Sequence, residues 1–156
     1  MRRGILAWKQ KLELSDIHQG DSLPQVVKHV TQRDIDRYAE ASGDFNPIHV
    51  DEAFATQTPL GGTIAHGMLI LAYMSGMMTE AFGNNWLEGG KLSVRFKTPA
   101  RPQDTITSSG KIDSIEYKEG VPCVNCILES CNQKGETVIS GGVVVKLGQY
   151  CGGKKT

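Results

Sequence analysis

Two residues with the chemistry of an acid–base pair lie five positions apart in one short segment. The segment reads Ser-Gly-Asp-Phe-Asn-Pro-Ile-His, with Asp44 two residues before the Asn-Pro turn and His49 two residues after it. Because the turn is tight, the polar ends of both side chains can reach one small volume and position a single water molecule there. A carboxylate and an imidazole can take a proton from water and supply one to carbon near neutral pH. The pair therefore meets the chemical needs of adding water to an α,β-unsaturated thioester, or of the reverse dehydration of a 3-hydroxyacyl thioester.

The same segment also has a purely structural interpretation. An aspartate before Asn-Pro is common turn chemistry, so Asp44 would only cap the following helix and His49 would be an ordinary polar side chain. Asn46 is a favourable N-cap residue, and Pro47 suits the first helical position. Both interpretations place His49 in the first turn of a short helix. The sequence leaves open which of Asp44 and His49 takes the proton from water.

A second candidate element is Ala65-His66-Gly67, at the start of a long apolar segment. The start of a helix presents free backbone N–H groups and the positive end of the helix dipole, which can stabilise negative charge on a thioester oxygen. Gly67 would let the substrate approach the main chain closely, although close packing of the helix against a sheet would equally favour glycine. The ring of His66 is predicted to point away and bond a carbonyl that braces the helix start. Direct contact of His66 with the substrate is the alternative.

Hydrophobic patterning and turn signals predict the elements that position these residues. Thr31 and Asp34 form a capping-box pattern for a short amphipathic helix that ends at Gly43. The long segment after Thr63 is apolar on nearly every side, so it predicts a helix surrounded by other elements. Strands are predicted at Leu92 to Phe96, Thr105 to Ile115, Val121 to Cys131 and Val143 to Leu147. An α+β fold follows, with an antiparallel meander in the C-terminal half that curls around the long helix.

Length and composition exclude several classes of protein. The 156 residues suit one domain, predicted over 1–150, with a strand or two before residue 30 and a loose tail at 151–156. Lys+Arg and Asp+Glu are both 17, so the net charge of zero gives no electrostatic footprint for nucleic acid. The apolar run near the N-terminus is too short for a signal peptide, and the apolar window at 63–82 holds too many polar residues for a membrane span. A cytoplasmic protein without a membrane partner is expected.

The cysteine pattern offers only a weak metal signal. Cys123 and Cys126 have the spacing of half a metal site, but their surroundings predict a strand, on which residues three apart point to opposite faces. No second pair of cysteines or histidines supplies the missing ligands. Reduced thiols and no bound metal are therefore predicted, as is usual in the cytoplasm.

The segment from Ser42 to Asp51, followed at the expected distance by Ile64-Ala65-His66-Gly67-Met68, resembles the hydratase motif of the MaoC-like (R)-specific enoyl-CoA hydratases. A looser likeness runs from Gly20-Asp21 through Phe96 to Asp104 and on to the last strand, so it covers nearly the whole chain. The resemblance implies a hotdog fold, in which a curved antiparallel sheet wraps a long central helix. It also implies a homodimer or an assembly of dimers, with the thioester substrate bound near the subunit interface.

Matched position by position, the resemblance implies roles for individual residues. The family's catalytic aspartate and histidine fall on Asp44 and His49, and the glycine whose N–H faces the thioester carbonyl falls on Gly67. Asn46 matches an asparagine that helps to hold the loop. Ser75 falls where relatives carry a serine that hydrogen-bonds within the site, although serine on a buried helix often bonds only the carbonyl one turn back.

Two regions fit the resemblance less clearly. Relatives usually read Pro-Val-x-x-Gly-Asp where this chain has Pro-Ala-Arg-Pro-Gln-Asp at 99–104, which alters a turn near the sheet edge. Coenzyme A carries phosphates that lysine or arginine at the pocket rim would bind. Arg95, Lys97 and Arg101 are candidates by position, with a solvated strand face as the alternative for each.

The leading hypothesis is a hydro-lyase that catalyses (R)-specific hydration of trans-2-enoyl-CoA. The coenzyme A thioester is then the substrate, and no separate cofactor is expected. Alternatives in the same class are dehydration of an acyl-carrier-protein thioester or of a short branched or dicarboxylic acyl-CoA. A non-catalytic acyl-CoA-binding module is the alternative from another class, and the intact Asp44/His49 pair weakens it. Thioester hydrolysis is a third possibility, but thioesterases on this fold usually place a carboxylate on the long helix, where this chain has only Glu80 near the end.

Overall fold

The computed structural model describes residues 12–148. Predictions for the first eleven residues and for the tail at 151–156 lie outside this range, as do the last residues of the predicted domain at 1–150. The helices are α1 (Gln32–Ser42), α2 (Pro47–Val50), α3 (Glu52–Thr56), α4 (Gly67–Phe82) and α5 (Asn84–Gly89). The strands are β1 (Val26–His29), β2 (Lys91–Phe96), β3 (Thr105–Lys118), β4 (Val121–Cys131) and β5 (Thr137–Lys146), and a 3₁₀ turn at Leu14–Asp16 precedes them.

The five strands form one antiparallel sheet in the order β1-β3-β4-β5-β2. The predicted meander is confirmed for β3, β4 and β5, which are joined by turns with Gly120 and Gly135 at positive φ. It is wrong for β2, which pairs with β5 instead of the strand that follows it. The segment from β2 to β3 contains two prolines and is too long for a tight hairpin, so β2 reaches the far edge of β5. A Cβ at Gly141 would lie 2.1 Å from the Ser93 carbonyl oxygen, and this glycine permits the close approach of the two strands.

The long helix α4 packs against one face of the sheet and forms the core with it. Its buried residues are Leu69, Ile70, Met74, Met77, Met78, Ala81 and Phe82. They cluster with inward-facing strand residues such as Ile106, Leu128 and Val145. This arrangement is the predicted α+β hotdog architecture. The helix is less enclosed than its composition predicts, because every fourth residue from Met68 to Glu80 is exposed in the single chain.

Local capping places the segment that carries Asp44. The predicted capping box is present, since Thr31 accepts from the backbone of Asp34 and the Asp34 carboxylate accepts from Thr31. The Thr31 hydroxyl and the Thr31 backbone N–H both donate to the Asp34 carboxylate, and these two hydrogen bonds lower the pKa of Asp34. Gly43 ends α1 in the left-handed conformation, with φ 76°. The Asn46 side chain then caps α2, with Pro47 at its start, as predicted. Two capped helices therefore hold the intervening loop at 43–46 at both ends.

The cysteines lie where strand geometry places them. Cys126 belongs to the core between α4 and the sheet, whereas Cys123, three residues earlier on the same continuous strand, belongs to the opposite face. Cys123, Cys126 and Cys131 are free thiols. Burial raises the pKa of Cys126 to about 12. Within residues 12–148, no helix is both long and apolar enough to cross a membrane.

Candidate active site

Asp44 and His49 face each other across the loop that joins α1 to α2. The Asp44 Oδ2 atom lies 4.0 Å from the His49 Nε2 atom. The separation is too long for a direct hydrogen bond, but two hydrogen bonds of about 2.8 Å from one water molecule can span it. The Asp44 side chain is 54% exposed and the His49 side chain only 10%. The pair therefore joins a solvent-accessible carboxylate to a buried imidazole, in a geometry that suits a shared water.

Three hydrogen bonds fix the main chain and one carboxylate oxygen of Asp44. The backbone N–H of Asp44 donates to Ser42 Oγ at 3.2 Å, and Asp44 Oδ1 accepts from the Asn46 backbone N–H at 3.2 Å. The carbonyl oxygen of Asp44 accepts from His66 Nε2 at 2.9 Å. Oδ2 is left to face His49. Asn46 thus holds the loop both through its backbone and through its capping side chain.

The orientation of His49 is set by a backbone carbonyl that is distant in sequence. His49 Nδ1 lies 2.8 Å from the carbonyl oxygen of Ile64, which can only accept, so Nδ1 carries a proton. Nε2 is then the nitrogen that gains or loses a proton, and it is the atom that faces Asp44. The side chain of Gln32 donates to the His49 carbonyl at 2.8 Å and steadies the backbone. Neither Gln32 nor Ile64 carries a motif that would have predicted these contacts.

His66 differs from its prediction in one respect. It does bond a carbonyl, as predicted, but its ring does not point away from the pair. It stacks on the ring of His49, with centroids 3.8 Å apart and an interplanar angle of 26°. The centroid of the Tyr38 ring lies 4.8 Å from that of His66. The hydrogen bond to the Asp44 carbonyl explains this orientation, because it holds the His66 ring beside the loop that carries Asp44. A direct role of His66 in binding substrate remains a prediction.

Gly67 is the first residue of α4, and its N–H has no acceptor within the helix. No side-chain cap bond is made by His66, the residue before it, so this end of the helix keeps free donors. A Cβ at position 67 would lie 2.8 Å from the ring of Phe96. Packing of β2 against the helix start therefore explains the glycine without a ligand, and close approach of a substrate to Gly67 stays a prediction.

An apolar cavity adjoins both candidate elements. It has a volume of about 430 Å³ and is lined by His49 and Gly67, by apolar residues that include Ile70 and Val138, and by Lys97 near its rim. A larger cavity of about 720 Å³ lies on the sheet beside Lys111 and contains no histidine. Volume alone does not identify the site. The 430 Å³ cavity is distinguished because an apolar interior meets an imidazole and a helix N-terminus there.

The remaining predicted residues lie at varying distances from this cavity. Lys97 lines it, and Arg101 donates to the Leu60 carbonyl at 2.6 Å beside a neighbouring cavity. Arg95 is exposed on β2. Ser75 Oγ accepts from the indole N–H of Trp86 at 3.1 Å, a contact that ties α5 to α4. Its predicted part in the site remains a prediction.

The turn at 99–104 contains the departure from the family pattern. Gln103 stands at the position of the relatives' glycine and has φ 75°, a backbone conformation that favours glycine. Asp104 holds the turn, because its carboxylate accepts from the Arg101 backbone at 2.8 Å and from Gln133 at 2.8 Å. The altered sequence therefore retains a glycine-like turn, whose backbone lies at the edge of the sheet.

A shared metal ion does not suit the three polar side chains. Asp44, His49 and His66 each have a possible ligand atom within 4.8 Å of the others. However, the lone pairs of an imidazole lie in the plane of its ring, and the two rings are stacked. Their lone pairs therefore run side by side instead of meeting at one point, and His66 Nε2 already donates to a carbonyl. The arrangement suits proton transfer better than metal binding.

Known proteins with similar sequences and structures share this architecture. A family model described as the MaoC like domain matches residues 16–125. The (R)-specific enoyl-CoA hydratase of Aeromonas caviae is 31% identical over 124 residues, which cover 79% of this chain and 90% of the relative. The 3-hydroxybutyryl-CoA dehydratase of Methylorubrum extorquens is 28% identical over 124 residues, covering 77% and 74%. The unliganded R-hydratase PhaJ1 from Pseudomonas aeruginosa superposes with a TM-score of 0.73 at 25% identity, covering 84% and 82%.

Proposed function

We propose that this chain, which belongs to the MaoC-like domain family, hydrates trans-2-enoyl-CoA to (R)-3-hydroxyacyl-CoA and catalyses the reverse dehydration. Relatives that are 31% and 28% identical to this chain are named as a hydratase and a dehydratase, and both classes of enzyme are hydro-lyases. The observation that carries the proposal is the 4.0 Å separation between Asp44 and His49, beside an apolar cavity and a helix N-terminus. Those three features would hold one water molecule, leave room for an acyl chain and provide donors for an oxyanion.

In the proposed mechanism, Asp44 and His49 hold one water molecule in front of C3 of the substrate. The water oxygen attacks C3, and Asp44 Oδ2 accepts the proton that this oxygen loses. His49, protonated at both nitrogens, gives its Nε2 proton to C2 and keeps Nδ1–H bonded to the Ile64 carbonyl. The product gains one OH and one H across the former double bond. A proton then returns from Asp44 to His49 through the next water molecule, which resets the pair.

The electrons of the double bond move onto the thioester oxygen before C2 is protonated. We assign the stabilisation of this enolate to the backbone N–H of Gly67, which has no acceptor inside α4. The helix dipole adds a partial positive charge at the same end. In this assignment Lys97, at the rim of the cavity, is the first candidate for the coenzyme A phosphates.

The proposed assembly is a homodimer, or dimers of that unit, with the substrate near the subunit interface. β2 ends the sheet, and among the described residues its outer edge has no partner strand. Phe45, Met68 and Phe96 are 57%, 55% and 54% exposed, and all three lie next to the candidate site in sequence or in space. Apolar side chains at a site rim are typical of a covered surface. Light scattering on a sizing column should give twice the chain mass or an even multiple of it.

The direct test is an assay of hydration with a panel of thioesters. Loss of the enoyl absorbance is followed with crotonyl-CoA, longer enoyl-CoA substrates and the corresponding acyl-carrier-protein thioesters, and the stereochemistry of the product is determined. The proposal expects turnover of enoyl-CoA and an (R)-3-hydroxyacyl product. Turnover only on the carrier protein would favour the dehydratase alternative. Binding of acyl-CoA without turnover would favour the non-catalytic module.

A further inference from the structure

A second histidine, His66, lies next to the Asp44–His49 pair at the start of α4. His66 is 2% exposed, and its Nε2 donates to the Asp44 carbonyl at 2.9 Å. Its Nδ1 is buried and has no hydrogen-bond partner among the residues the structure describes. Within residues 12–148, the bond to Asp44 is therefore the only hydrogen bond of this ring. A histidine whose ring mainly contacted solvent would not be buried to this extent.

The segment at 64–66 contacts both members of the pair. The carbonyl of Ile64 accepts from His49 Nδ1, and the ring of His66, two residues later, donates to the backbone of Asp44. The same ring stacks on His49 at 3.8 Å. The segment is itself anchored, because Ile64 N–H donates to the Ile48 carbonyl and Ala65 N–H donates to the Ala100 carbonyl. One short, fixed stretch of chain thus sets the position of the imidazole and of the carboxylate.

Asp44 needs such a restraint more than His49 does. Its side chain is 54% exposed, and its loop, at 43–46, lies between two helices. The other bonds of Asp44 are local, because Ser42 ends α1 two residues before Asp44 and Asn46 caps α2 two residues after it. Among the described residues, the bond from His66 is the one hydrogen bond that ties the loop at 43–46 to the start of α4. Without it, only these local contacts at the two helix ends would set the distance from Oδ2 to Nε2.

We infer that His66 is a positioning residue, which holds Asp44 at water-bridging distance from His49 through its bond to the Asp44 carbonyl. The inference rests on the proposed function, since it assumes that the Asp44–His49 distance matters for turnover. Displacing a catalytic group by about 1 Å can lower a rate by about a hundredfold. Loss of the His66 donor should therefore lower kcat and leave KM nearly unchanged, because His66 does not touch the substrate in this assignment.

The test compares two nearly isosteric replacements that differ in one hydrogen-bond donor. His66→Gln keeps a side-chain N–H that can reach the Asp44 carbonyl, whereas His66→Met has a similar length and no donor. We expect His66→Met to lower kcat at least about tenfold with KM within about threefold, and His66→Gln to recover most of that loss. Ser130→Ala, which removes a buried hydroxyl from the sheet far along the chain, is the control for general destabilisation and should keep kcat.

A structural readout makes the inference independent of the reaction. Crystal structures of the variants should show Asp44 Oδ2 further than 4.0 Å from His49 Nε2 in His66→Met and close to that value in His66→Gln. If the methionine variant does not fold, His66→Leu replaces it as the variant without a donor. Equal kcat losses for the glutamine and the donor-free variant, a rise in KM alone, or an unchanged Asp44–His49 distance without the donor would each overturn the inference. A wild-type protein inert on every enoyl thioester would instead refute the proposed function, while the distances would still decide the role of His66.

Discussion

Asp44→Asn removes the proposed base with little change to the loop that carries it. The amide is nearly isosteric with the carboxylate, and its Oδ1 can still accept from the Asn46 backbone. The bonds of the Asp44 main chain to Ser42 and His66 do not involve its side chain. The free energy of unfolding should therefore change by no more than about 0.5 kcal/mol, as for most substitutions at an exposed position.

The expected loss of activity has two parts. At 4.0 Å, the attraction between Asp44 and a protonated His49 is about 1 kcal/mol in bulk water and about 4 kcal/mol at an effective dielectric constant of about 20. Because Asp44 is about half exposed, a value near the lower end is appropriate. Losing the proton acceptor adds the usual cost of a missing general base, about a hundredfold in rate. Together, about 2.7 kcal/mol for the base and about 1 kcal/mol for the attraction correspond to about 3.7 kcal/mol, so kcat should fall by about a hundredfold to five hundredfold, with KM within about threefold.

The matched control is Asp51→Asn, a second carboxylate-to-amide change in the same part of the chain. Asp51 caps α3 by accepting from the Phe54 backbone and is not paired with His49. Steady-state hydration of crotonyl-CoA, together with urea unfolding, measures both variants and the parent. Asp51→Asn should keep kcat within about threefold. Near-normal turnover in Asp44→Asn, or an equal loss in Asp51→Asn, would refute the assignment of Asp44 as the base.

Three further outcomes follow from the same contacts. His49→Ala should lower kcat by at least about a hundredfold in the hydration assay while circular dichroism shows an intact fold, because Nε2 is the proposed proton donor. Ser130→Ala should lower the free energy of unfolding by about 1–3 kcal/mol in urea, since it leaves the buried hydroxyl of Ser108 without its partner at 2.8 Å, and adding Ser108→Ala should recover part of the loss. Cys126, with a pKa of about 12, should resist alkylation at about pH 8 in the native protein and react on unfolding, as mapped by peptide mass. Because the folded state keeps the thiol proton to higher pH than the unfolded state, the free energy of unfolding should fall only as pH rises above the ordinary thiol pKa of about 8.5.

Interactions between residues close in sequence could be predicted from the sequence. The capping box of Thr31 and Asp34, the Asn46 cap and the turn glycines depend on backbone conformation over a few residues, and their residue types carry a strong local signal. The facing of Asp44 and His49 belongs to the same group, because a short capped loop limits where their side chains can point. The pairing was predictable for that reason, and the class of reaction followed from the resemblance of the surrounding motif to that of the MaoC-like hydratases.

Interactions between distant segments required the tertiary structure. The carbonyl of Ile64 sets the protonated nitrogen of His49, and every residue has a carbonyl, so no residue type marks the one that binds. The same holds for the bond from His66 to the Asp44 carbonyl, which turned a predicted helix brace into a contact within the site. The place of β2 beside β5 and the ring of Phe96 over Gly67 depend on how the chain crosses the sheet. The sequence by itself thus determined which side chains are available for the chemistry. The tertiary structure decided how these side chains are held, because long-range contacts to backbone carbonyls do not depend on residue type and produce no sequence pattern.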